Sequence, residues 1–222
     1  MILCIDTANT IGSVALVTDT HILAEKQNTE TASHGIFVQP AIQALLTEQS
    51  ISWDAVDAVA VANGPGSYTG VRVGLATAKG ICFALKKPLI LLNSLQIMAY
   101  TYYNQMNQEQ SHTTIVPMID ARRMEVFTAA YNHLYQELLT PRAVVLTQEF
   151  LESWSMPAVF IGNGAAKVAQ FLPEASIDAS ITSTAANMQW LAYQAWEQQN
   201  FTSLIDSEPF YCKAFYDTRL AR

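Results

Sequence analysis

Glycines at positions 64, 66 and 70, inside "ANGPGSYTGVRVG" (62–74), are the residues whose spacing most suggests chemistry. They leave backbone amides open just ahead of an apolar segment, and open amides at a helix N-terminus can cradle an anion. Gly64, Gly66, Ser67 and Thr69 therefore form a candidate anion-binding loop. The established phosphate patterns are missed, however. A P-loop closes on Gly-Lys-Ser/Thr, whereas Gly70 is followed by Val71 and Arg72. The dinucleotide fingerprint places its third glycine at position 69, where Thr69 stands. A sharp strand-to-helix turn accounts for the same residues.

Other reactive groups do not converge. Asp6 and Thr7 end the first apolar run, where phosphate-handling folds place an aspartate, though a strand-terminal aspartate is as often a turn former. The histidines at 21, 34, 112 and 133 include no pair at helical ligand spacing, which argues against a metal site. No Gly-x-Ser-x-Gly elbow occurs. "DARR" (120–123) reads as a hairpin turn whose Arg122 and Arg123 could pair with an anion. These residues predict no catalytic centre.

The elements that must position these groups come from a chain of 222 residues, half of them apolar and 14% charged, which is the composition of a folded globular protein. Arg72, Lys79, Lys86 and Lys87 interrupt the apolar runs, so no membrane-spanning helix is predicted. The start, "MILCIDTANT", carries no signal-peptide pattern, and a cytoplasmic location is expected. Cys4, Cys82 and Cys212 make no Cys-x-x-Cys pair, and free thiols in a reducing compartment are expected. A net charge of −7 means the chain as a whole does not attract a phosphate backbone.

Three short strands at 2–5, 13–17 and 21–27 read as an antiparallel meander. A helix capped by Ser33 follows through residue 48, with Pro40 predicting a kink or a late start. A buried strand at 55–63, a helix over 69–86, a strand at 88–93 and a helix from about Ser94 complete a ribonuclease-H-like order. The polar stretch 104–114 marks a boundary, predicting an N-terminal lobe over 1–105 and a second, degenerate lobe over 106–204. In the second, strands at 114–120, 125–132, 143–147 and 158–164 precede helices from about 165 and from a Thr184 cap. The terminal 205–222, rich in aromatic and basic residues, is expected to pack back on the first lobe or lie across a partner.

Two small-residue rows mark the helix over 69–86: Gly70, Gly74 and Ala78, and then Ala76, Gly80 and Ala84. A glycine inside a helix costs about 1 kcal/mol relative to alanine, so each needs a compensating close contact. Packing on the sheet explains one row, and the second suggests another chain.

Taken together, "CIDTANTIGSVAL" (4–16), "SHGIFVQPAIQALL" (33–46), "VAVANGPGSYTGVRVGLATAKG" (59–80), "PLILLNSLQIMA" (88–99) and "PMIDARRMEVFTAAY" (117–131) resemble the TsaB, or YeaZ-like, family; "IGNGA" (161–165) and "EPFYCK" (208–213) match more weakly. The resemblance implies an α/β actin-like (ASKHA) fold of two ribonuclease-H-like lobes. It implies a non-catalytic subunit that pairs with the paralogue TsaD, which transfers threonylcarbamoyl to the adenosine next to the anticodon of tRNA. A TsaE-family ATPase and tRNA would join through that complex, with ATP and metal held on the partner subunits and no cofactor on this chain alone. The docking surface is then expected on the first two helices, at His34, Phe37, Val38, Ala41, Leu45, Gly70, Val71, Gly74 and Ala78. A homodimer of the free chain stays open.

Where catalytic paralogues carry His-x-x-x-His, His34 is followed four residues later by Val38, and Ala8 replaces the glycine of ATP-binding members. The alternatives, an ATP-using phosphotransferase of the same fold and a metallopeptidase, therefore rank below a scaffold.

Overall fold

The computed structural model describes residues 1–28, 34–106, 113–154 and 157–213. Ser33 and the polar stretch 107–112 lie outside them. The chain folds around two five-stranded mixed sheets. In the first, β1 (Ile2–Asp6) pairs antiparallel with β2 (Gly12–Val17), and β2 with β3 (Ile22–Asn28). On its other edge β1 runs parallel to β4 (Ala58–Ala62), and β4 to β5 (Leu89–Leu92), giving the order β3-β2-β1-β4-β5. The second sheet repeats this plan with β6 (Thr114–Asp120), β7 (Glu125–Tyr131), β8 (Glu137–Val145), β9 (Ala158–Ile161) and β10 (Ser176–Asp178), in the order β10-β9-β6-β7-β8. Each strand of the second sheet has its counterpart in the first, so the duplication inferred from element order is a duplication of topology.

Alternation along β1 explains its unbroken apolar run. Ile2 and Cys4 belong to one core and Leu3 and Ile5 to another, so both faces of the strand are buried. One face of this sheet carries α1 (His34–Glu48) and α2 (Tyr68–Leu85). The other packs against α5 (Gln189–Glu197) through Leu191, Ala192 and Ala195. Helix α3 (Ser94–Gln105) contributes Leu95, Met98 and Ala99 to the core of the second sheet, and the short α4 (Gln148–Glu152) sits against the other face of that sheet. The lobes thus exchange helices. A boundary near 105 divides the sequence but not the packing, because α3 buries its apolar side on β6 and its neighbours while α5 returns to the first sheet.

Several predicted ends shift for local reasons. Helix α1 runs through Pro40 from His34, and the late start is not observed. Proline removes the donor to the Ile36 carbonyl, but both residues are exposed on the outer side, where water can replace it. The helix expected from Thr184 opens instead as a 3-10 turn at Ala186–Met188, because the Asn187 side chain accepts from both the amide and hydroxyl of Thr184. The helix expected from 165 is likewise a 3-10 segment, Ala165–Gln170. Segment 205–213 lies against the first lobe: Phe210 N donates to Asn63 O, and Lys79 Nζ to Ser207 O. Cys4, Cys82 and Cys212 are free thiols. Among the described residues no helix is long and apolar enough to cross a membrane.

Candidate docking face and interlobe cleft

The glycine loop owes its composition to close packing. Ser67 caps α2 by accepting from Gly70 N at 3.2 Å, and Ser67 N donates to Ala8 O at 2.7 Å. Thr7 Oγ1 donates to Gly70 O at 2.7 Å. A Cβ at Gly66 would stand 2.3 Å from Ala8 O, and one at Gly70 2.0 Å from Thr7 O. Gly64, at φ +109°, lies under Phe210 O. The loop is therefore pressed onto the 6–8 turn and its amides at 67 and 70 are already used. Gly66, Ser67 and Thr69 line an interlobe cavity of about 550 Å³ with Asn9, Asn163 and Arg122, whereas Gly64 does not.

Asp6 does not face that cavity. It is fully buried, accepting from Ala8 N at 2.9 Å and from Ser183 Oγ, with Asn9 Nδ2 at 3.5 Å. Burial pushes its carboxyl up to about 6, partly offset by the bonds from Ser183 and Ala8 and by the charge of His34. The carboxylate that a phosphotransferase would need is thus spent joining β1 to the segment before α5. Ala8, the residue expected to be glycine in an ATP-binding member, carries a side chain, and its carbonyl is covered by Gly66 and Ser67.

His34 is 7% exposed and its Nε2 lies 2.9 Å from Asn9 O, a distance at which Nε2–H donates. Nδ1 is buried without a partner and faces Gly12, where a Cβ would come within 2.5 Å. The ring ties the first turn of α1 to the β1–β2 turn. Among the described residues no group of three or more His, Cys, Asp or Glu side chains is placed to hold a metal.

The structure corrects the expected docking set. Val38, Ala41, Leu45, Val71, Gly74 and Ala78 are buried in the core of this chain, and Gly70 is sealed against Thr7. At Gly74 a Cβ would meet Thr7 Oγ1 at 2.4 Å and the side chains of Val61 and Ile5. The backbone that this row approaches is the chain's own sheet. Phe37 is half-buried. The second row, Ala76, Gly80 and Ala84, faces outward, and a Cβ at Gly80 would meet nothing within 4 Å. With Pro40, Gln43 and Trp53 this row lines a groove of about 650 Å³ between α1 and α2. Phe83, 80% exposed, and Ile36, 79% exposed, stand on the outer faces of these helices. Helical phase carried this signal: Val71, Leu75, Ala78 and Cys82 mark the inward side of α2, which puts 76, 80, 83 and 84 outside.

Two ribonuclease-H-like sheets joined by exchanged helices define an actin-like protein. A glucomannokinase from Arthrobacter, 12% identical, shares this fold with a TM-score of 0.51 over 89% of this chain and 98% of the other. Within that class the sequence is more specific. The family described as "TsaD: tRNA N6-adenosine threonylcarbamoyltransferase" matches residues 21–207. The TsaB of Bacillus subtilis, named a tRNA threonylcarbamoyladenosine biosynthesis protein, is 32% identical over 167 residues, 73% of this chain and 70% of that protein. YeaZ from Pseudomonas aeruginosa superposes with a TM-score of 0.79 at 29% identity, covering 95% of this chain and 98% of the other. The chain belongs to the TsaB family of TsaD-like proteins.

Proposed function

We propose that this chain is a non-catalytic subunit of the cytoplasmic machinery that makes threonylcarbamoyladenosine in tRNA. It docks through the outer face of α1 and α2 on a TsaD-family catalytic subunit, which holds the metal, with a TsaE-family ATPase and tRNA engaged through the complex. The observation that carries this reading is Gly80. In an exposed helix interior it sacrifices about 1 kcal/mol relative to alanine, and among the described residues no atom stands within 4 Å of where its side chain would be. Close approach of another backbone supplies the reason. Phe83 and Ile36 add the apolar contact area that such an interface buries. Asp6 and His34, each engaged within the first lobe and its covering segment, leave the chemistry to the partner.

Size exclusion with light scattering tests it, using the purified chain and the TsaD-family protein of the same genome. Equimolar mixing is expected to give one heteromeric peak, replacing any self-dimer formed through the same face. Phe83→Asp and Gly80→Leu should each weaken that complex at least tenfold with unchanged circular dichroism. Two unmixed peaks for the wild-type proteins at tens of micromolar would sink the reading.

A further inference from the structure

Lobes that share a chain move against each other by default unless the interface between them is large and apolar, and many two-lobed proteins close about a hinge onto a ligand. In a closing protein the ligand supplies the contacts that hold the lobes together. Here the chain's own side chains supply them, at well-separated places.

Helix α3 is shared by both sheets. By helical phase Leu95, Met98 and Ala99 lie on one side of it and are buried in the core of the second sheet. Ile97 lies on the opposite side and is buried in the core of the first, where Tyr100 packs beside it. Turning the lobes about this helix would open one close-packed core or the other. Segment 181–186 is shared in the same way. Ile181 is buried in the second core, whereas Ala185 N donates to Ser13 Oγ at 2.8 Å and Ala186 N to Glu25 Oε1 at 3.0 Å.

An aromatic corner adds a second tie. Tyr135, in the turn between β7 and β8, packs on Tyr100 and Tyr103 of α3 at centroid distances of 5.3 and 4.9 Å and on Trp190 of α5 at 5.6 Å. Trp190 stacks on Tyr100 at 5.1 Å, and Tyr135 Oη donates to Tyr100 O at 3.4 Å. Because α5 packs on the first sheet, these rings join it to the outer corner of the second.

The terminal segment makes a third tie as a strap. It is pinned to the first lobe by Thr202 N on Leu89 O at 2.9 Å, Lys79 Nζ on Ser207 O at 3.0 Å, Phe210 N on Asn63 O at 2.7 Å and Arg72 Nε on Tyr211 Oη at 2.8 Å. It then crosses to the second sheet, where Lys213 Nζ pairs with Glu125 Oε2 at 2.8 Å. Glu125 opens β7 and Tyr135 follows its end, so the corner and the strap hold opposite ends of a strand about 20 Å long. Those ties alone would leave one axis of rotation, along β7. Helix α3, packed on the face of that sheet against Ala129 and Tyr131, lies off the axis and removes it.

We propose that this chain is a fixed-angle body, in which the strap and the aromatic corner lock the lobes so that the interlobe cleft neither opens nor closes. Such a lock suits a protein that presents a surface rather than one that encloses a ligand, because a rigid surface gives up less freedom on association. The lock belongs to the free chain and holds whether or not α1 and α2 dock on a partner.

Double electron–electron resonance on the full chain tests it, with spin labels at Gln49→Cys, just past α1, and Glu149→Cys, on α4. Both positions are exposed, and Cys212→Ser leaves only the buried Cys4 and Cys82 as native thiols. The otherwise wild-type chain is expected to give one narrow distance. The variant is Tyr135→Asn with Trp190→Ala; asparagine tolerates the left-handed φ of 61° at position 135, and neither ring belongs to a core cluster. It should keep its circular dichroism and broaden the distance distribution about twofold, as interlobe motion returns to its default. Glu125→Gln, which releases the strap and lies outside both cores, should broaden it in the same sense by a smaller factor. A broad or two-peaked distribution in the wild-type background would overturn the lock. So would variants that both keep the narrow wild-type distance, since neither tie would then set the angle. Failure of the chain to bind a catalytic partner would remove the docking reading and leave these distances, measured on the free chain, unaffected.

Discussion

Gly70→Ala is expected to cost about 3 kcal/mol or more of stability, at the upper end of overpacking substitutions. The new methyl would stand 2.0 Å from Thr7 O, a backbone atom whose residue also donates its hydroxyl to Gly70 O. The 6–8 turn cannot retreat, because Ala8 N is bound to Asp6 and Ala8 O to Ser67 N. Relief must come from lifting the first turn of α2 off β1 and β4. Gly80→Ala, ten residues along the same helix, is expected to do the reverse and add up to about 1 kcal/mol, since only helix propensity changes there. Urea denaturation followed by circular dichroism reads both. A Gly70→Ala midpoint equal to wild type would contradict the seating of α2 on the Thr7–Ala8 turn. A destabilised Gly80→Ala would show that position 80 is packed within this chain after all. Together the pair separates glycines kept for folding from a glycine kept for a partner.

That distinction shows where the sequence was readable. Strand order and the two-lobed repeat followed from apolar runs and polar breaks, because β1 and β4 alternate between two cores and leave no ambiguity of class. The small-residue rows of α2 were equally visible. Which row faces the sheet was not settled by spacing alone, since Gly70–Gly74–Ala78 and Ala76–Gly80–Ala84 have the same periodicity. The phase of the apolar residues Val71, Leu75 and Cys82 separates them, and the neighbouring atoms agree: Thr7, Ile5 and Val61 for the first row and, among the described residues, none within 4 Å for Gly80 in the second. The junction of the β6–β7 hairpin with the terminal segment was half legible. Arg122 and Arg123 stood out in "DARR", and the terminal segment was visibly aromatic and basic, but their meeting requires Tyr211 to reach Tyr68 across the fold. Long-range pairings of this kind leave no local pattern. The exchange of α3 and α5 between the sheets is invisible for the same reason.

Asp6→Asn should remove a pH dependence that wild type shows between about pH 4 and pH 6. The Asp6 carboxyl is held up to about 6 against an ordinary value of 3.8, chiefly by burial. Between those values the folded chain keeps a proton that the unfolded chain has released, so stability declines as pH rises through the window. The full excursion is about 3 kcal/mol, at 1.36 kcal/mol per pKa unit. Its contribution is complete below about pH 4 and gone above about pH 6. The adjoining charged group is His34, whose positive form would favour the carboxylate. Asp120, held below its ordinary value chiefly by its bond from Lys167, works in the opposite direction and loses its contribution as pH falls. The difference between wild type and Asp6→Asn cancels that background. The amide oxygen can still accept from Ala8 N and the amide NH2 can donate to Ser183 Oγ, so the variant should be the more stable protein at pH 7 and show little slope from pH 4 to 6. A variant with the wild-type slope would place the titration elsewhere. Because Asp6 joins β1 to Ser183, and Ala185 N is held by Ser13 Oγ at 2.8 Å, the ionised carboxylate is the weak link where the chain returns from the second sheet to the first. Acidification should therefore tighten this junction, and hydrogen exchange at Ala8 and Ala185 should slow on going from pH 7 to pH 5, beyond the intrinsic change of exchange rate, in wild type and not in the variant.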